Sequence, residues 1–159
     1  MNIKHRNGIY TIDSISVKEI AEKFGTPCFV YSDLSISRNF EEIRDVFSDD
    51  KKSIYYSVKA NSSLSILKLL SSLGSGFDIV SMGELDRVIK IGADPKKIVY
   101  SGVGKSEKDI KRSIELGIYC INVESFSELE RIKKIASELK IKAPVAIRVN
   151  PNIDPGSHE

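Results

Sequence analysis

The sequence predicts an α/β fold of repeated βα units. Three observations point there: β-type runs recur along the chain, explicit helix starts and stops lie between them, and polar residues gather where the runs end. The runs occupy residues 53–58, 76–80, 97–101, 118–123 and 144–149, separated by enough chain for one helix and two loops each. Such repeats give parallel strands with right-handed crossovers, as an open doubly wound sheet or a closed (β/α)8 barrel. Periodicity alone does not separate the two. The runs are short and mixed, however, with Tyr55, Tyr56, Ser57, Asp78, Asn122 and Arg148 in or at the end of them. Polar C-terminal strand ends point to a barrel mouth, where Lys59, Asp78, Ser101, Asn122 and Arg148 would share one rim.

The first 50 residues read as a lead-in segment and not as a sixth repeat. A short strand is expected at 8–12, a helix from the capping-box pattern Ser16 to Glu19 through Phe24, and a second strand at 25–31. A further helix then carries Ile36, Phe40, Ile43 and Phe47 on its apolar side. The domain boundary is placed after Tyr31: residues 1–31 form the N-terminal segment and 32–159 the repeated unit. Between the later strands, Ser81 with Glu84, Ser106 with Asp109 and Ser125 with Glu128 all have the S-x-x-E/D form of a helix N-terminus. Leu85, Val88 and Ile89 recur at helical spacing, as do Leu129, Ile132, Ile135, Ala136 and Leu139, and Gly74, Gly92 and Gly117 stand where helices stop. Asn61 serves either to fix the loop after Lys59 or to cap the helix carrying Leu64, Leu67 and Leu70.

Composition narrows the function classes. In 159 residues, 24 Lys and Arg stand against 22 Asp and Glu, and a net charge of +2 with dispersed lysines makes no electrostatic case for nucleic acid or an anionic membrane. Cys28 and Cys120 are too isolated for a disulfide framework or a zinc site, and His5 and His158 have no metal-ligand spacing, so no metal is expected. The N-terminus lacks an apolar leader and no run approaches the roughly 20 apolar residues of a membrane helix, which predicts a cytoplasmic protein. The GVGKS run at 102–106 has the setting of a phosphate-binding loop, but that motif needs a glycine five positions before Gly104, where Val99 stands. A tight βα turn with Ser106 as cap accounts for it.

Lys59 is the chemically pointed residue. It follows the 53–58 strand directly, where an amine is placed to condense with an aldehyde, the way pyridoxal phosphate is held in enzymes. On position alone, a strand-end lysine turned to water is the reading that wins.

Five ordered motifs add to this: YSVKAN at 56–61, GFDIVSMGEL at 76–85, SGVGK at 101–105, INVES at 121–125 with Glu128 and Leu129, and RVNP at 148–151. Together with AEKFGTP at 21–27 they resemble diaminopimelate decarboxylase in order and spacing, across almost the whole chain. The SGVGK and NVES blocks are closer to that family than to ornithine and arginine decarboxylases. The resemblance implies a pyridoxal 5'-phosphate enzyme of the alanine-racemase-like fold, a (β/α)8 barrel plus a β domain. Such an enzyme is a homodimer when complete, and it converts meso-2,6-diaminopimelate to L-lysine and carbon dioxide. It also implies that Lys59 carries the cofactor and that Asp78 and Arg148 lie beside it. A mutual Asp78–Arg148 ion pair at the barrel mouth is the plainer alternative, and Glu84 is already explained as a cap. A non-catalytic pyridoxal-binding relative and a related basic amino-acid decarboxylase are the competing readings.

About five βα units are countable where the family has eight. The family's later histidine strand, glycine-rich phosphate loop and acidic partner of the pyridine nitrogen are not in these residues. The expectation is therefore an N-terminal portion of the enzyme, poorly stable alone and with little or no activity by itself.

Overall fold

The computed structural model describes residues 3–6, 8–47 and 52–153. The chain opens with a small antiparallel sheet of β1 (Ile3–Arg6), β2 (Ile9–Ile12) and β3 (Ile15–Ser16), in which Ile3 pairs with Ile12 and Thr11 with Ser16. Its first and last strands are absent from the sequence expectation. IKHR carries no alternation of apolar and polar residues, and two residues are too few to show a period. Helix α1 (Val17–Phe24) starts at Ser16, whose hydroxyl accepts from the Lys18 N–H at 3.2 Å, and stops at Gly25. The strand expected at 25–31 does not form. Residues 25–32 are irregular, Pro27 has no N–H to give a ladder, and Phe29 is 93% exposed. Helix α2 (Asp33–Val46) follows, capped by Ser32 and packed through buried Phe40.

Five parallel strands then alternate with helices: β4 (Tyr55–Ser57), α3 (Leu64–Ser72), β5 (Gly76–Ile79), α4 (Met82–Lys90), β6 (Ile98–Tyr100), α5 (Glu107–Leu116), β7 (Cys120–Val123), α6 (Phe126–Leu139) and β8 (Val145–Ile147). Spatial order equals chain order, β4-β5-β6-β7-β8, with every pair parallel. A doubly wound sheet must reverse its strand order at a switch point; a barrel wall does not. Consecutive order thus decides the alternative that periodicity left open, in favour of an incomplete (β/α)8 barrel.

Burial alternates along the strands as this wall requires. Phe77, Ile79, Ile98, Tyr100, Ile121 and Val123 are at most 4% exposed and pack with Leu67, Leu85, Val88, Ile110 and Ile132 from the helices. The intervening residues Ser57, Asp78, Val99 and Asn122 face the other way and are only partly covered. Among the described residues β8 has no outer neighbour, and its Ile147 is 73% exposed.

All three predicted serines cap their helices, but the carboxylates divide into two kinds. Asp109 returns to the N–H of Ser106 at 3.0 Å, a full capping box. Glu84 and Glu128 reach one residue further back, to the N–H of Val80 at 2.8 Å and of Glu124 at 2.7 Å. Both therefore fasten a strand end to the helix that follows it. Helices α3, α4 and α5 lead into Gly74, Gly92 and Gly117, all at positive φ as expected.

Gly76 is required by space. A Cβ there would lie 2.5 Å from the Tyr55 ring and 2.8 Å from the Lys97 carbonyl oxygen, and a backbone carbonyl between two strands cannot step aside. Gly76→Ala is expected to cost roughly 1–3 kcal/mol, read as a lower urea midpoint at unchanged slope.

Candidate functional site

The C-terminal ends of the parallel strands carry a connected polar chain. Asp78, on the inner face of β5, accepts from the Ser101 hydroxyl at 2.5 Å and from the Ser57 hydroxyl at 3.4 Å. Ser101 in turn accepts from the Asn122 amide at 2.9 Å, and the Asn122 carbonyl lies 3.6 Å from the Cys120 thiol. Strand register brings these groups together. Ser57 pairs with Asp78, Asp78 with Val99, and Val99 with Cys120, so polar residues at alternate positions of β4 to β7 share the inner face.

Lys59 stands on the edge of this group. It lies in the 3-10 turn Val58–Ala60, two residues past the Ser57–Asp78 pair, and is exposed while Val58 beside it is fully buried. No ion pair among the described residues involves its ammonium. The loop beyond it is held at three points: the Tyr56 hydroxyl donates to the Asn61 carbonyl at 3.3 Å, the Asn61 side chain accepts from the Ser63 N–H at 2.9 Å, and Arg87 donates to the Ser62 carbonyl at 3.2 Å. Asn61 thus fixes the loop, while Ser63 precedes α3. Burial pushes the Tyr56 phenol above its ordinary value, partly offset by its bond to Asn61.

Arg148 follows β8 and is bonded to Glu124, Nη1 to Oε1 at 3.2 Å. The mutual Asp78–Arg148 pair is therefore not formed. Each charge has its own partner: two serine hydroxyls for Asp78, one carboxylate for Arg148. Glu124 also accepts from the Gly102 N–H at 3.2 Å, and its side chain is 10% exposed against 63% for Arg148.

Sequence reasoning missed Glu124 and the groups behind it. Lys105, inside the GVGKS turn, forms a buried ion pair with Glu128 at 2.9 Å. Its place in the SGVGK motif marks it, but nothing in the sequence names its partner.

Among the described residues no three His, Cys, Asp or Glu gather as a metal site, and no helix is long and apolar enough to cross a membrane. Cys120 sits at the buried end of the polar chain, where burial and then the Asp78 carboxylate push its thiol above the ordinary value. Cys28 is exposed. Iodoacetamide near neutral pH is expected to label Cys28 first and Cys120 several-fold more slowly, as peptide mass mapping over time would show. Equal rates would contradict the placement of Cys120.

One end of the parallel sheet thus carries an exposed lysine, a hydrogen-bonded carboxylate and an anchored guanidinium. Residues 34–159 match the family described as pyridoxal-dependent decarboxylase, pyridoxal binding domain. The diaminopimelate decarboxylase of Pseudomonas aeruginosa is 46% identical over 154 residues, covering 97% of this chain and 37% of that protein. Among solved structures, diaminopimelate decarboxylase of M. jannaschii in complex with L-lysine superposes with TM-score 0.87 at 40% identity, over 98% of this chain and 37% of that one. The Helicobacter pylori enzyme with L-lysine gives 0.84 at 46%, over 89% and 36%. The chain spans little more than a third of the length of these relatives.

Proposed function

The chain belongs to the pyridoxal-dependent decarboxylase family through its pyridoxal-binding domain, and on that premise we propose that it holds pyridoxal 5'-phosphate through Lys59 as part of a diaminopimelate decarboxylase. The observation that carries the reading is that Lys59 stands in the turn that ends β4, two residues past Ser57, whose hydroxyl donates to Asp78, with no ion-pair partner among the described residues. The substrate assignment is supported by the P. aeruginosa, M. jannaschii and H. pylori relatives, all diaminopimelate decarboxylases, at 40% to 46% identity.

Pyridoxal phosphate, when bound, supplies a ring that takes up the electron pair left on the substrate's α-carbon as carbon dioxide departs. Lys59 would hold the cofactor through its side-chain amine. The tethered loop after it keeps that amine at the rim. Asp78 contributes a carboxylate on the inner face, oriented by the Ser57 and Ser101 hydroxyls. Arg148, bonded to Glu124 through Nη1, would present its remaining N–H groups to the cofactor. Residues 1–31 form the N-terminal segment of this unit and 32–159 its barrel portion; the small sheet of β1 to β3 and a family match beginning at residue 34 support the division. A homodimer in the cytoplasm, acting on a free amino acid, completes the reading.

The test is carbon dioxide release from meso-diaminopimelate, ornithine and arginine with added pyridoxal phosphate, by this chain alone and mixed with the C-terminal remainder of the P. aeruginosa relative. Little release is expected from the chain alone, and preferential release from diaminopimelate in the mixture. Faster turnover of ornithine or arginine would favour the related decarboxylases instead.

A further inference from the structure

Lys105 and Glu128 are buried more completely than any other ion pair among the described residues, with side chains 1% and 3% exposed. All three donors of the ammonium are used. The ammonium donates to the Gly102 carbonyl at 2.7 Å, the Asn122 carbonyl at 2.8 Å and Glu128 Oε1 at 2.9 Å, and it lies 5.6 Å from the centre of the Tyr100 ring. The other Glu128 oxygen accepts the Glu124 N–H. Packing does not call for this, since an apolar pair of the same volume fills such a space at no desolvation cost. The use of the pair must lie in the atoms that it grips.

Those atoms converge on Glu124. Glu128 fixes its backbone N–H. Lys105 holds the carbonyl of Gly102, whose N–H points at Glu124 Oε1, and Gly102 takes φ +91° to make that turn, with the Val80 side chain 3.2 Å from where a Cβ would stand. The same carboxylate oxygen receives Arg148. We propose that Lys105 and Glu128 are a positioning pair that sets Glu124 and, through it, aims the Arg148 guanidinium over the rim. The consequence at the cofactor rests on the proposed role of Arg148; the placement of Arg148 does not.

The experiment follows the Arg148 Nε–H by 15N relaxation, and pyridoxal phosphate affinity by absorbance titration. The samples are the parent chain, Glu124→Gln, Glu128→Gln and the charge-neutral Lys105→Met with Glu128→Gln. The neutral pair and Glu124→Gln are expected to lower the order of the Arg148 Nε–H alike. They should weaken pyridoxal phosphate binding by about tenfold, the middle of the range for coupled neighbours. In an Arg148→Ala background the neutral pair should cause no further loss of affinity. Glu128→Gln strands the Lys105 ammonium and is read only where it folds; Glu124→Gln, which leaves the buried pair intact, provides the readout if the double variant does not fold, and Arg148 as ordered in it as in the parent would overturn the proposal. A folded variant lacking the ion pair in which Arg148 stays as ordered as in the parent overturns the proposal, as does full additivity with Arg148→Ala. A parent chain without affinity for pyridoxal phosphate would defeat the proposed function, while the Arg148 signal would still decide this inference.

Discussion

Lys59→Ala is expected to abolish covalent retention of pyridoxal phosphate. In the parent chain, addition of the cofactor should produce the visible absorbance of a lysine-bound pyridoxal; borohydride should then fix it, and peptide mapping should place the added mass on Lys59. The variant should lose the band and the mass on that peptide together. The effect is all or none because a methyl group offers no nitrogen to condense with the aldehyde. Stability should change little, within about 0.5 kcal/mol, since Lys59 is exposed and the turn is fixed by Val58, Tyr56 and Asn61 rather than by the ammonium. An unchanged urea midpoint therefore separates loss of attachment from loss of fold. Other exposed lysines will form weaker adducts at high cofactor concentration, so the decisive quantity is the site of reduction at low excess. Labelling spread evenly over surface lysines in the parent chain would sink the assignment.

The structure also shows which parts of this site a sequence can display. The βα alternation and the five polar strand ends are visible because each depends on residues close in sequence: a serine and a carboxylate three apart, or a β run ending in a charge. Asp78, Ser101 and Asn122 gather on one side, with Lys59 in the turn that ends the first parallel strand, because the same parallel register is repeated over four pairings. The partner of each charge is not legible in this way. Asp78 and Arg148 invite pairing by sign, yet each is satisfied elsewhere, Asp78 by Ser57 and Ser101 and Arg148 by Glu124, across separations of 21 to 24 residues. Glu84 and Glu128 read as ordinary caps. Only the fold shows that their carboxylates reach past the cap to the strand end, and that Glu128 has a second use. The irregular stretch 25–32 failed for a related reason: its apolar residues suggest a strand, but a strand needs a neighbour with a free edge.

Lys105→Met alone should destabilise the chain by about 3–5 kcal/mol, the usual cost of removing one member of a buried pair. Methionine matches the lysine stem in volume, so the loss is not a cavity effect. It comes from Glu128, left 2% exposed with its Oε1 charge facing a thioether, and from the Gly102 and Asn122 carbonyls that lose their donor. Set against a stability of roughly 5–15 kcal/mol for an ordinary domain, this would leave a substantial unfolded fraction near the melting region. Replacing both partners, Lys105→Met with Glu128→Gln, removes the stranded charge while keeping an acceptor for the Glu124 N–H, and should recover more than half of the loss. The two urea midpoints, compared at equal slope, measure this directly. A single variant within about 1 kcal/mol of the parent would mean that water reaches Glu128 in solution. Recovery of stability without recovery of Arg148 order is the informative combination, because it separates what the pair does for the fold from what it does for the rim.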